Sequence, residues 1–140
     1  MPGEPKLEYN QLETGYDFPP SSYQLDSAVV VAYLEAVGET SRLYRDSGLV
    51  PPLAVAARAM AALSDGMRLP PGTIHVSQEL EFLSAVNVKD TLTSRARVSR
   101  KQSRGKFHML NIELNVFNQK QQAVLSGKTS FILPEPDDGQ

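Results

Sequence analysis

The sequence contains no cysteine and only two histidines, His75 and His108. Without cysteine there is no disulfide framework, no thiolate metal site and no cysteine nucleophile. Two histidines in separate segments, with no carboxylate at ligand spacing, do not compose a metal site, and no cofactor is expected. Long apolar runs are also missing, since none approaches the ~20 residues that span a bilayer. The opening Met1-Pro2-Gly3-Glu4-Pro5 lacks the basic and apolar regions of a secretory leader. These absences predict a soluble cytoplasmic protein with no membrane partner. A net charge of −2 over 140 residues exerts no general pull on nucleic acid, so none is expected as a partner. The length suits one domain with its own core.

The stretch that organises the chain is Pro51-Pro52-Leu53-Ala54-Val55-Ala56-Ala57-Arg58-Ala59-Met60-Ala61-Ala62-Leu63. A proline pair starts it and Asp65-Gly66 stops it, the glycine suited to a left-handed turn, which predicts a helix over about 52–64. Apolar residues run almost all round it, so the helix is expected to be wrapped by other elements. Its one cation, Arg58, needs an edge position or a partner, and a structural ion pair or subunit contact is expected.

The remaining chain supplies the wrapper. Residues 1–8 and 134–140 are polar and Pro-rich and are expected to fray, leaving 9–133 as the folded unit. Tyr9–Tyr16 reads as a short strand ending at Gly15, and 18–22 as a loop. Asp26 caps a helix over 27–37, whose stripe is Val30, Tyr33, Leu34 and Val37, although the run Val29-Val30-Val31 would also suit a strand. Residues 39–50 are aperiodic and read as a loop delivering the chain to the central helix, a natural place for a site. From Ile74 the period becomes two. Ile74, Val76, Leu80 and Phe82 share one face of a half-buried strand, with His75, Ser77, Glu79 and Glu81 opposite. Thr91–Arg100, Phe107–Phe117 and Ala123–Leu133 follow as strands, joined at Ser103-Arg104-Gly105-Lys106 and at 118–122. Helical elements followed by long strands make an α+β domain, and the arrangement that covers one apolar helix with a meander is a hotdog, an antiparallel sheet wrapped around a central helix. Met60, Met67 and Met109 read as core filler, or as the flexible lining of an apolar groove.

Charge is unevenly spread. Arg95, Arg97, Arg100, Lys101, Arg104 and Lys106 fall within twelve residues, which is either a solvated strand and hairpin tip or a landing surface for phosphates or an acidic protein.

Ile74–Leu92, and Ala85-Val86-Asn87-Val88-Lys89-Asp90-Thr91-Leu92 within it, resemble the strand and "Pro-Val-x-x-Gly-Asp-x-Leu" turn of the MaoC-like hydratases and dehydratases. Ala85 and Lys89 replace the usual Pro and Gly. With the element order, the resemblance spans residues 9–133. It implies a hotdog fold, a homodimer or a heterodimer with a catalytic MaoC-like subunit joined through sheet edges, and acyl thioesters of coenzyme A or acyl carrier protein as ligands. In active members a Gly-Asp-x-Asn-Pro-(Ile/Leu)-His motif precedes the central helix. Its carboxylate and imidazole grip one water, take its proton as it attacks C3 of an enoyl thioester, and return a proton at C2. A backbone N–H at the start of the central helix stabilises the enolate.

Set on Gly38–Tyr44, that motif loses its chemistry: Glu39 stands for the Asp, Ser41 for the Asn, Arg42 for the Pro and Tyr44 for the His. The departure resembles the substrate-holding subunit of two-subunit (3R)-hydroxyacyl dehydratases and the N-terminal half of double-hotdog enzymes. Glu39 is either a lone catalytic carboxylate or an ordinary loop acid after a helix-ending glycine. Tyr44 either lines the channel or packs on the central helix. The N–H groups of Leu53 and Ala54 are the carbonyl contacts the chain offers, which makes Leu53, Ala54 and Tyr44 the expected substrate-binding residues. Three functions stay open: a MaoC-like lyase subunit completing a partner's acyl site, a self-sufficient hydratase or thioesterase using Glu39, and an acyl-ligand-binding module without chemistry.

Overall fold

Strand β6, Phe107–Phe117, shows the rule that builds the sheet. Leu110, Ile112, Leu114 and Val116 are at most 2% exposed, and the residues between them are only partly covered, because successive side chains of a strand point to opposite faces. The computed structural model describes residues 6–39 and 42–134. Around β6, a five-stranded sheet runs in the order β2-β5-β6-β7-β4, with β2 Ser21–Tyr23, β4 Ile74–Phe82, β5 Leu92–Arg104 and β7 Ala123–Pro134. All neighbours are antiparallel. A second pairing joins β1, Leu7–Glu8, to β3, Met67–Arg68. Helices α1, Ser27–Ala36, α2, Leu43–Ser47, and α3, Pro52–Ser64, lie between β2 and β3 in the chain. None of the described helices is long and apolar enough to cross a membrane.

The two main helices form for the reasons their sequences give. Asp26 accepts from the Val29 N–H at 3.0 Å and caps α1, satisfying a donor the helix leaves open. Val30 and Leu34 of its stripe are buried, but Val37 is 57% exposed. Pro52 occupies the first turn of α3, where a missing N–H costs nothing. Gly66 does not take a left-handed conformation; Asp65 ends the helix. The glycine is needed for space, since a Cβ there would meet Phe18 Cδ1 at 2.9 Å.

The sheet packs against α3 on one side only. Val55, Ala59 and Leu63, one helical stripe with Ala54 and Ala56 beside it, are buried, whereas Leu53, Ala57 and Ala61 are exposed. A helix wrapped all round was expected, and the exposed Ala57 and Ala61 depart from it. Five strands cover only half of a cylinder, and Ala59 is the alanine at the contact. Ala59→Leu should overpack it and destabilise by about 1–3 kcal/mol, while Ala57→Leu should fall within about 0.5 kcal/mol of the parent. Urea unfolding distinguishes the two, and equal losses would refute this orientation.

Four local expectations change. Tyr9–Gln11 is a turn of 3-10 helix and not a strand, and 21–23 is β2 and not loop. The fraying expected over 1–8 does not reach Leu7 and Glu8, which pair with β3; 1–5 and 135–140 lie outside the described residues. Strand β5 runs on past Arg100 to Arg104, so the hairpin closes on Gly105-Lys106. Strand β4 is the longer of the two edge strands, β2 being the other, and a bulge between His75 and Ser77 breaks its period. Ile74 consequently pairs beside Ile132 on the outer face and His75 beside Phe131 on the inner one. The half-burial expected of β4 is absent: Ile74, Val76 and Phe82 are 59%, 43% and 42% exposed.

Candidate functional site

The site begins with a turn. The Asp90 carboxylate accepts from the Asn87 N–H at 2.8 Å and, by its other oxygen, from Gln119 Nε2 at 2.9 Å. The Asn87 side chain accepts from the Lys89 N–H at 3.0 Å. A short carboxylate and a short amide close a turn on their own backbone in this way. The closed turn then holds a second segment. Val50 N–H donates to Val86 O and Val88 N–H to Gly48 O, both at 2.8 Å, and Leu49 bridges Asn87. Gly48 ends α2 at φ 75°, a region that glycine enters without strain. The stitched pair sets the angle at which the chain enters α3.

Between α2, the first turn of α3 and the ends of β4 and β7 lies a cavity of about 210 Å³. Its walls are apolar: Tyr44, Leu49, Val50, Val55, Phe82 and Val124. Of the residues expected here, Tyr44 is present, half-buried and on the short helix α2 in a segment read as loop. Glu39 is exposed, follows the left-handed Gly38 (φ 73°) and is not part of the lining. Ser41 lies outside the described residues. Leu53 is 58% exposed and also off the lining. Ala54 is a correction: its N–H donates to Pro51 O at 3.0 Å and is not available to a ligand. Pro51 and Pro52 carry no N–H, and the Leu53 N–H has no backbone acceptor among the described residues, so it is the donor left at this helix start, where the dipole favours an oxyanion. Sequence reasoning missed Val55, Phe82 and Val124, because only the fold brings 55, 82 and 124 together.

Neither histidine serves the cavity. His75 stacks on Phe131 at 4.9 Å, with Nε2 2.5 Å from Thr129 Oγ1. His108 Nδ1 lies 2.7 Å from Ser103 Oγ. Both occupy the end of the sheet away from Phe82 and Val124, about 20 Å or more along the strands at ~3.3 Å per residue. Of the ion pair or subunit contact expected for Arg58, no ion pair occurs among the described residues; the guanidinium sits over the Tyr23 ring at 4.2 Å, a cation–π contact. Burial raises the Tyr23 pKa above its ordinary value, opposed by the Ser94 hydroxyl and by Arg58.

A family model described as FAS1-like, dehydratase domain region, matches residues 13–126. No curated protein matches the sequence. Solved structures do. The unliganded R-hydratase PhaJ1 of Pseudomonas aeruginosa is 20% identical over 94% of this chain and 88% of its own, with a TM-score of 0.79. The truncated HadBC (3R-hydroxyacyl-ACP dehydratase) complex of Mycobacterium tuberculosis is 18% identical over 85% of this chain and 96% of the matched one, with a TM-score of 0.68. A conserved protein of the same organism with a double hotdog fold is 20% identical over 95% of this chain and 46% of its own, with a TM-score of 0.77. At these identities the likenesses establish the hotdog fold.

Proposed function

The chain belongs to the FAS1-like dehydratase domain family, and from that premise we propose that it is a hydratase–dehydratase subunit that holds the acyl group of a thioester without supplying the acid–base pair. The observation that carries this reading is the cavity beside α3: apolar walls, a phenol at Tyr44 where the resemblance sets an imidazole, and both histidines at the other end of the sheet. A phenol is a poor general base at neutral pH. A partner hotdog chain with an intact Asp and His supplies the proton transfers, and this chain supplies channel wall and the Leu53 N–H. The HadBC complex, a two-chain 3R-hydroxyacyl-ACP dehydratase by name, supports such a division of labour. Nothing in the geometry favours catalysis through Glu39, which is outside the cavity. The free edge β4 is where the partner, or a second copy, pairs.

The cavity also bounds the acyl group. A dry apolar cavity of about 150 Å³ holds benzene, so ~210 Å³ suits a chain of about six to eight carbons. Tyr44→Ala frees roughly a benzene-sized volume and should move the preferred acyl length up by about four carbons, with the maximal rate little changed. The measurement is hydration of enoyl-CoA esters of graded length by the chain co-purified with its catalytic partner. A length profile identical in parent and variant would put the acyl group elsewhere.

A further inference from the structure

The sheet has a second face, turned away from α3. On β5, Arg95, Arg97, Arg100 and Arg104 pair opposite Asn115, Glu113, Asn111 and Phe107, and the bulge between Val98 and Arg100 keeps the last two on the same outer side as the first two. Residues of the opposite set, Ala96 and Val98, are buried, while all four arginines are exposed. The ion pairs of the described residues are Arg68–Glu8 and Lys101–Glu13, and none of the four arginines has a carboxylate partner. Lys101 belongs to the other face: it pairs opposite the buried Leu110 and sits over Tyr9 at 4.4 Å. Beside the arginine row, β6 presents Phe107, 59% exposed, with Met109 and Phe117 half-buried. Arg97 has Glu113 opposite it, but Arg95, Arg100 and Arg104 face Asn115, Asn111 and Phe107, so most of the row gains nothing from a cross-strand charge pair. Arginine with aromatic residues and methionine is, by contrast, the composition enriched at protein interfaces.

We infer that this row is the docking surface for an acidic helix of a carrier protein, the protein that presents the thioester. The inference rests on the acyl-thioester reading only for the identity of the partner. The dimensions fit a helix. Arg95 to Arg104 spans about 30 Å at ~3.3 Å per residue, the length of a helix of ~20 residues, and a helix ~10–12 Å across covers about two strand spacings of ~4.8 Å. The charge pattern disfavours a polynucleotide. Asp17 bridges Arg97 on one side and Glu113 stands opposite it on the other, and Glu79 faces outward beside Lys128 with Glu81 beside Ser126, further across the same face. The basic zone is therefore one strand wide on a chain of net charge −2: a polynucleotide, charged on every side, would meet those carboxylates, whereas a helix can set one acidic stripe on the row and turn its uncharged sides to Asp17 and Glu113. The placement also serves delivery. Arg95 lies near the end of the sheet at which Phe117 pairs with Ala123, next to the cavity-lining Val124.

The test uses the full chain and a purified holo acyl carrier protein as probe, with binding read by fluorescence anisotropy at two salt concentrations. The parent should bind, and more weakly at high salt because exposed charges are screened. Arg95→Glu, Arg97→Glu, Arg100→Glu and Arg104→Glu together should weaken binding at least about tenfold, and the milder Arg95→Ala with Arg97→Ala should lie between, with both variants melting as the parent does. Affinity that neither salt nor reversal changes overturns the inference. So does binding of a short DNA duplex, with none of the carrier protein, that is lost on the same reversal. Octanoyl-CoA binding by the reversed variant separates the two readings. Retained, it leaves the cavity in use and assigns the loss to docking; absent in parent and variant alike while the carrier still binds, it sinks the acyl-site reading and leaves the docking surface standing.

Discussion

Purified alone, the chain is expected to hydrate crotonyl-CoA no faster than buffer. Hydration needs one group to take a proton from water as it attacks C3 and another to return a proton at C2, and each well-placed group is worth roughly 10²–10⁴-fold. Among the described residues the cavity offers neither: its one titratable wall is Tyr44, and no carboxylate or imidazole lines it. His75 and His108 are engaged with Thr129 and Ser103 at the other end of the sheet. Mixed with a catalytic hotdog partner, the same chain should raise turnover by completing the channel. Stopped assays at equal protein concentration with and without the partner make the comparison. Robust turnover by the chain alone, abolished by Glu39→Gln, would overturn the assignment and bring the single-carboxylate reading forward.

The parts of the fold legible in the sequence are those where one residue type fixes one geometry. Strand β6 alternates without interruption and is found as expected. The start of α3 follows from Pro51-Pro52, and the cap of α1 from Asp26. What was not legible is which side of α3 is buried, because Ala54, Ala56 and Ala59 are chemically identical to Ala57 and Ala61 and carry no pattern. The facing of β4 was lost for a different reason. A bulge at Val76 inserts one residue and exchanges the faces on either side of it, and no local signal announces a bulge in a run of otherwise regular spacing. At the site, the turn around Asp90 was visible as a motif, yet its work is to stitch 48–50 to 86–88 and so aim α3. Tyr44 came from the resemblance. Val55, Phe82 and Val124 meet only because β4 and β7 end beside the start of α3, a juxtaposition of topology and not of spacing.

Ile74→Lys combined with Val76→Lys should convert the protein from a dimer, with itself or with a hotdog partner, to a monomer. Strand β4 is nine residues of free sheet edge, with Ile74, Val76, Phe82 and the following Leu83 between 42% and 59% exposed. A long apolar edge left open recruits other strands, and proteins that stay monomeric blunt it with lysine, proline or a covering element. Here β4 contains neither lysine nor proline. Its bulge and its two glutamates are the restraint, and they leave Ile74 and Val76 in the open. Burying an unpaired ammonium in an interface costs several kcal/mol, so two lysines per edge should weaken association by more than about 10²-fold. Sedimentation at micromolar concentration reads the outcome directly. Both substitutions lie at the end of β4 away from the cavity, so acyl-CoA affinity measured alongside reports whether the partner forms part of the channel wall: it should fall as the dimer dissociates. A parent that is monomeric, or a double variant that sediments as the parent does, would remove β4 as the assembly edge.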